Sequence, residues 1–459
     1  MNDWNPDLDP AARTLYGAIA TAIERDIQAG RLLPGTRLPP QRSLAARLGV
    51  DLTTVTRAYA EAQRRGLLEA GVGRGTFVRA PRPAPSPLLD MTMNLPPLPQ
   101  DPALRGAFAA TLASLFQPGD LRALTSYRPI GGTPAEREAL AGFLAPLFGP
   151  LDPRRVLLAP GAQAALAAAL AMLARPDDVV LTDPLTYPGF RGVAAQQGVR
   201  LAPVAADAEG LLPEAFEQAC QRLAPKALYC VPTIHNPTTA TLSPERRAAI
   251  GAIAARHAVP VIEDDAYGLF PTTPLAPVMQ AAGAGVYVAT LAKCLAPSLR
   301  LAIVVAPSAE QAPRLAQALR AAALTPSPLS AALLGRWLED GTAQAWRDAV
   351  RAEAAARQAI AREVLPAAQA TAHPEGLHVW FRLPPAWDRT EFCAQVRRQG
   401  LALVPAEAFH VAVPDAPPVP NAVRICLGAA EDRATLRDAL RAVAATAAAD
   451  PQSPLGAVV

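Results

Sequence analysis

Between residues 80 and 90 the chain reads APRPAPSPLLD, with proline at 81, 83, 85 and 87. Each proline removes a backbone donor and holds φ at about −65°, so the stretch is excluded from helix and sheet interiors and suits a semi-rigid extended linker. The 459 residues are thereby divided in two, and composition changes across the division. Residues 11–79 are arginine-rich and helical in pattern, ending in the glycine-spaced GVGRGTFVR. Later residues alternate apolar runs (DDVVLTDP, ALYCVPT, VPVIEDD, VYVATLAK, LAIVVAP) with alanine-rich helical stretches. That alternation predicts a mostly parallel sheet with helices on both faces.

A helical stretch near 343–365 is followed by LHVWFRLP, LALVPAEAF and AVRICLG and by a closing helix from about Asp432, predicting a smaller α+β part. The expected organisation is a domain at 11–79, a linker at 80–90 and a domain at 91–459. The last has a large part at about 125–342 and a small part at about 343–445, and PQSPLGAVV reads as a frayed end. No uncharged apolar run reaches the roughly 18 residues of a membrane span, and the acidic start MNDWNPDLDP lacks an export signal's basic region. Five scattered cysteines contain no C-x-x-C pair, and the five histidines do not cluster at ligand spacing. A cytoplasmic protein without metal, disulfides or membrane partner is expected.

Forty-three basic residues against 40 acidic leave a formal charge of only +3, which excludes histone-like binding. Between Gly35 and Ala80, however, eight arginines (37, 42, 47, 57, 64, 65, 74, 79) face only Asp51, Glu61 and Glu69. A nucleic-acid surface is therefore expected there. Leu15, Ile19 and Ile23 place an apolar stripe on a first helix; Arg42–Leu48 forms a second, Gly49 and Val50 turn the chain, and Asp51 caps a third. With Val55 and Tyr59 turned inward, Thr53, Thr54, Thr56 and Arg57 remain for phosphates and base edges, together with Arg42. Glycines 71, 73 and 75 suit a hairpin wing carrying Arg74 to the backbone. A helical interaction module with solvated arginines is the alternative. The segment PGTRLPPQRSLAARLGVDLTTVTRAYAEAQRRGLLEAGVGRGTFV resembles the GntR-family winged helix-turn-helix, which implies binding to a double-stranded DNA operator. Leu52 stands where that family often has a polar or basic residue.

Only two of the 43 basic residues are lysines, Lys226 and Lys293. Arginine can take over surface charge but not nucleophilic amine chemistry, so each remaining lysine requires a reason. Lys226 precedes a strand-like run and reads as an exposed loop end. Lys293, between VYVATLA and CLAPSLRLAIVV, is either a buried ion-pair partner or a Schiff-base lysine.

Residues 125–430 resemble the fold-type I pyridoxal 5'-phosphate (PLP) aminotransferases, an α/β fold with a smaller α+β subdomain. The resemblance implies that Lys293 is the Schiff-base lysine, that Arg300 clamps the cofactor phosphate, and that Asp264 in VIEDDAYG keeps the pyridine nitrogen protonated. It further implies that Tyr267 and Asn236 bond the phenolic oxygen, Tyr187 stacks on the ring, and Gly161, Ala162 and Gln163 open a phosphate-holding helix with Thr290 nearby. Tyr127 in SYRPIGG resembles a phosphate contact from a neighbouring subunit, which implies a homodimer, and Arg424 in AVRICLG resembles the arginine that grips an α-carboxylate. Ala162, Thr239 and Ala292 depart from the family pattern. A GntR-type reader, proline-rich linker and aminotransferase-like domain together resemble the MocR-subfamily transcriptional regulators, which implies an amino compound, or PLP itself, as signal. The alternatives are an aminotransferase carrying a DNA-binding domain and a cofactor-free dimerisation scaffold.

Overall fold

A computed structural model of the chain describes residues 4–8, 14–33, 35–71, 75–78, 88–116, 121–414 and 416–451. Most of the proline-rich linker, Arg74 and the terminal segment 452–459 lie outside the described residues. The chain packs as two units, Met1–Pro87 and Leu88–Val459.

In the first unit, α1 (Leu15–Gln28) buries Ile19, Ala22 and Ile23. Leu15, expected to open the same stripe, is instead 56% exposed; periodicity marks a face but not where the packed part of that face begins. Helix α2 (Gln41–Leu48) stops at Gly49, whose φ of 63° is left-handed. Helix α3 (Leu52–Arg64) starts at Asp51, whose Oδ1 accepts from the Thr53 amide at 2.7 Å. Val55, Ala58, Tyr59 and Ala62 supply its core face, and the Tyr59 hydroxyl donates to the Pro39 carbonyl at 2.8 Å. Strands β1 (Leu68–Gly71) and β2 (Gly75–Val78) pair antiparallel with Gly71 opposite Gly75. Gly75 has φ 111°, and a Cβ there would fall 2.8 Å from Arg37 Nε, so the strand must begin on glycine. The result is a winged helix-turn-helix.

The second unit is built on a seven-stranded mixed sheet. Its order is Val156–Ala159, Ala302–Val305, Gly285–Thr290, Val261–Asp264, Ala227–Cys230, Val179–Thr182, Arg200–Pro203. Only Ala302–Val305 runs against its neighbours. Helices cover both faces with separate apolar clusters, which is why the inner strands read as unbroken apolar runs. The edge strands Val156–Ala159 and Arg200–Pro203 were not among the runs singled out by sequence pattern.

A four-stranded antiparallel sheet (Ala370–Thr371, His378–Arg382, Ala422–Cys426, Val404–Pro405) packs with helices Thr342–Val364 and Arg433–Ala448 to form the small part. Leu89–Asp90 pairs in parallel with Leu401–Ala402, and Met91 is buried in the small part's core. The last residues of the expected 80–90 linker thus belong to the second unit, which begins at Leu88, and join the last part of the chain, an association that two residues of strand do not signal by pattern. Among the described residues no helix is long and apolar enough to cross a membrane, and no group of three or more His, Cys, Asp or Glu could hold a metal.

Candidate cofactor site and nucleic-acid interface

On the first unit, Arg42, Thr53, Thr56 and Arg57 are exposed and Thr54 is partly so. Asp51 and Gln41 already engage two of these hydroxyls: Thr53 Oγ1 donates to Asp51 Oδ1 at 2.5 Å, and Thr56 Oγ1 lies 2.8 Å from Gln41 Oε1 and 2.9 Å from the Leu52 carbonyl. Both keep lone pairs for incoming donors. Arg64 and Arg65 are paired with Glu61, and Arg65 also with Glu24, so part of the local basic surplus is neutralised within the fold. Arg42 and Arg57 make no hydrogen bond or ion pair among the described residues. Exposed Arg37, between α1 and α2, lines the same cleft as Gln41, Arg42 and Leu52; it belongs to the basic surplus, but no helix or wing signal singles it out.

In the second unit the residues singled out converge at the carboxyl ends of the sheet strands, where open α/β folds bind ligands. Asp264 ends Val261–Asp264, and Thr290 ends Gly285–Thr290, two residues before Ala292, whose amide donates to Thr290 Oγ1 at 3.2 Å. Gly161, at φ 96°, caps helix Ala162–Leu173, whose first amides, including those of Ala162 and Gln163, lack intrahelical partners. A Cβ on Gly161 would lie 3.6 Å from the Arg300 carbonyl oxygen and 3.8 Å from its Nη2, so the guanidinium stands beside that helix N-terminus. Tyr187 caps helix Pro188–Gln196 with its ring folded over Gly189, where a Cβ would fall 2.4 Å from the ring. Its hydroxyl lies 3.4 Å from Gln163 Oε1, and Gln163 Nε2 donates to the Gly189 carbonyl at 2.9 Å.

Arg424 connects two further members of the group. Its Nη1 donates to Asn236 Oδ1 at 2.6 Å, its Nη2 donates to the Thr92 carbonyl, and its Cζ sits 4.9 Å from the centre of the Phe409 ring. Lys293 Nζ donates to the Asn94 carbonyl at 2.5 Å, and Asn94 Nδ2 lies 2.5 Å from Tyr267 Oη. Tyr127 is not brought in: it is 87% exposed. Lys226 is exposed, as expected of a loop end.

Burial governs the electrostatics of the group. It pushes the Asp264 carboxyl up to about 6, against the opposing pull of the Tyr229 hydroxyl, which donates to Oδ2 at 2.8 Å. Burial also brings the Lys293 ammonium down to about 8, with Arg424 acting in the same direction and Asp264 against it. The Tyr267 hydroxyl is raised by burial, and that of Tyr187 by burial and then by Asp264. Asp264 is therefore a buried acid that a neighbouring cation would ionise, and Lys293 an amine readily available in neutral form.

Three participants escaped sequence reading. Asn94 lies just beyond the linker, in a stretch with no periodicity. Tyr229 was read only as part of the strand ALYC, yet its ring stacks on Phe190 with centroids 3.6 Å apart while its hydroxyl holds Asp264. His378, also in a strand, is fully buried beside Asn94 at 3.0 Å. The one available signal was a polar residue inside an apolar strand run, which marks a buried group needing a partner.

The family model described as aminotransferase class I and II matches residues 87–443, and that described as bacterial regulatory proteins, gntR family, matches residues 15–78. The chain is 32% identical over 418 residues to the uncharacterized HTH-type transcriptional regulator YdeF of Bacillus subtilis, covering 89% of each chain. It is 29% identical to the vitamin B6 salvage pathway transcriptional repressor PtsJ of Salmonella typhimurium, covering 90% of this chain and 94% of that one. Among solved structures it is similar to LysN, the α-aminoadipate aminotransferase of Thermus thermophilus, complexed with N-(5'-phosphopyridoxyl)-L-leucine. That likeness has a TM-score of 0.69 at 24% identity and covers 85% of this chain and 98% of LysN.

Proposed function

The chain belongs to the aminotransferase class I and II family and carries a gntR-family regulatory domain ahead of it, and from that premise we propose a DNA-binding transcriptional regulator that senses an amino compound, or pyridoxal phosphate itself, through Lys293. The observation that carries this reading is the convergence of Lys293, Asp264, Arg300 and Arg424 on one site in a chain that also holds a winged helix-turn-helix with exposed arginines. PtsJ, a repressor of vitamin B6 salvage by name, supports a signal of this chemistry.

The residues fit pyridoxal phosphate. The Arg300 guanidinium makes no hydrogen bond or ion pair among the described residues and stands at a helix N-terminus, so two sources of positive potential converge where a phosphate would be held. Asp264, buried and raised, would be ionised by a protonated ring nitrogen. When bound, the cofactor supplies an electron sink and an aldehyde for amine exchange. Lys293 would provide the amine, Tyr187 a face for the ring, and Tyr267 and Asn236 polar contacts to its phenolic oxygen. Arg424 Nε, buried and without a partner, is a donor left for a carboxylate, which favours an effector bearing both amine and carboxylate. Exposed Tyr127 is available to the corresponding site of a second copy, in keeping with a homodimer.

The test is a paired titration of wild type and Lys293→Ala on DNA from the protein's own promoter region, with absorbance recorded as amino compounds are added. We expect one compound to shift the visible band and DNA affinity together in wild type, with both responses lost in the variant. A second reading, amino-group transfer by the same site, is favoured by the readily deprotonated Lys293 amine. Product accumulating over many turnovers without a change in DNA affinity would establish that reading instead.

A further inference from the structure

We infer that Asn94 is a positioning residue that turns the hydroxyl hydrogen of Tyr267 toward the cofactor pocket, its own amide being locked by His378. Hydrogen-bond direction along this group of side chains is fixed from a backbone carbonyl. His378 Nε2 lies 3.3 Å from the His235 carbonyl oxygen, which can only accept, so Nε2 carries the proton. The imidazole is fully buried, and burial first and Arg424 second hold it in its neutral form, leaving Nδ1 as a bare acceptor.

A group facing Nδ1 must donate. The Asn94 side chain faces it at 3.0 Å, and its amide nitrogen is therefore fixed on that side, because a flipped amide would set two acceptors against each other. The same Nδ2 lies 2.5 Å from Tyr267 Oη. One amide hydrogen goes to His378 and the second to Tyr267, so the phenol oxygen accepts from Asn94 and its own hydrogen remains to be donated elsewhere. With a flipped amide, Oδ1 would take the Tyr267 hydrogen and the phenol could donate to nothing else.

Asn94 also reaches the lysine, since its backbone carbonyl accepts from Lys293 Nζ. The residue is 6% exposed and sits on the segment whose Thr92 carbonyl accepts from Arg424. The titratable and charged groups around this chain of bonds are Tyr267, His378, His235, Lys293, Arg424, Cys426 and Asp264. Only Tyr267 and His378 share the Asn94 amide nitrogen.

The inference rests on the cofactor reading and is tested on the full chain loaded with pyridoxal phosphate, by following the pH midpoint of its visible absorbance. A hydrogen bond donated to the cofactor's phenolic oxygen stabilises the deprotonated chromophore more than the protonated one. Its loss should therefore move the midpoint upward, by about one unit. We expect the full shift in Asn94→Asp, whose carboxylate would take the phenol hydrogen, and in Tyr267→Phe, and a smaller upward shift in Asn94→Ala, which leaves the hydrogen unaimed without diverting it. Adding Asn94→Ala to Tyr267→Phe should move the midpoint no further, an outcome that a merely structural role for Asn94 would not produce. Unchanged midpoints in loaded Asn94 variants, or full additivity in the double variant, would overturn the positioning role while leaving the cofactor reading intact. No visible band in loaded wild type would overturn both.

Discussion

Arg424 Nη1 donates to Asn236 Oδ1 across 2.6 Å, joining an inner strand of the small sheet to the segment that follows strand Ala227–Cys230 of the large one. The guanidinium is further held by the Thr92 carbonyl and the Phe409 ring. Its fork is set before any ligand arrives, so little ordering entropy is left to lose on binding.

Replacing that fork with a point charge separates charge from geometry. In Arg424→Lys the absorbance response to an α-amino acid should weaken by about 10- to 100-fold, as expected when a two-point carboxylate contact is lost, while the response to an amine without a carboxylate stays within about twofold. Equal weakening toward both ligands would mean that Arg424 supports the fold and does not read the carboxylate.

Lys293 should show its lowered basicity in the rate of cofactor capture. The ammonium is held down to about 8, below lysine's ordinary 10.5, so the neutral amine rises about tenfold per pH unit up to about 8 and then levels off. The initial rate of visible-band formation with added pyridoxal phosphate should follow that curve. A rate still climbing tenfold per unit between pH 9 and 10 would contradict the environment described for this lysine.

Arg300 should distinguish the phosphate from the rest of the cofactor. In Arg300→Ala, affinity for pyridoxal phosphate is expected to fall by about 10- to 100-fold while affinity for unphosphorylated pyridoxal changes little. Equilibrium titrations of both aldehydes would show it; parallel losses for the two would remove Arg300 from the phosphate contact.

On the first unit, Arg42→Ala and Arg57→Ala should each weaken operator binding and lower the slope of log affinity against log salt by about one where the arginine meets a phosphate. Fluorescence anisotropy across a salt series provides the measurement. Arg64→Ala, which removes a side chain already paired with Glu61, should leave the slope unchanged.

Acid should loosen the second unit through two buried imidazoles. Burial lowers His378 to about 3 and His235 to about 4, against an ordinary 6.5. The unfolded chain therefore takes up protons below about 6.5 that the folded rings refuse, and the stability these two rings contribute above that pH is lost as pH falls toward 4. Buried Asp183 and Asp264, held above the usual carboxylate range, act in the opposite sense, so the histidine contribution is read as a difference between variants. Thermal midpoints recorded between pH 7 and 4 should fall less steeply, or rise more steeply, in His378→Gln than in wild type; identical slopes would show that the His378 ring is not held neutral.

Much of the site was legible because its chemistry depends on residues that stand out against this composition. Lys293 is conspicuous in a chain with two lysines, Asp264 in an apolar strand run, and Asp51 at a helix start. Tyr127 and Thr290 stood out only through resemblance. Asn94 and Tyr229 were not visible, because an amide between prolines and methionines and a tyrosine in a strand are each unremarkable locally, and Arg37 was visible only as one of the eight arginines of the basic surplus.

The division at the alternating prolines, the helices of the first unit, the inner strands of the large sheet and the chemical types at the candidate cofactor site were determined by sequence alone. Periodicity, capping and side-chain reactivity are local properties, carried by a few neighbouring residues. Tertiary structure alone decided that Leu89–Asp90 would pair with Leu401–Ala402 and that Asn94 would lie between Tyr267 and His378. Those partners are brought together from hundreds of residues apart by burial of apolar surface, which is non-directional and leaves no mark in the local pattern of either segment.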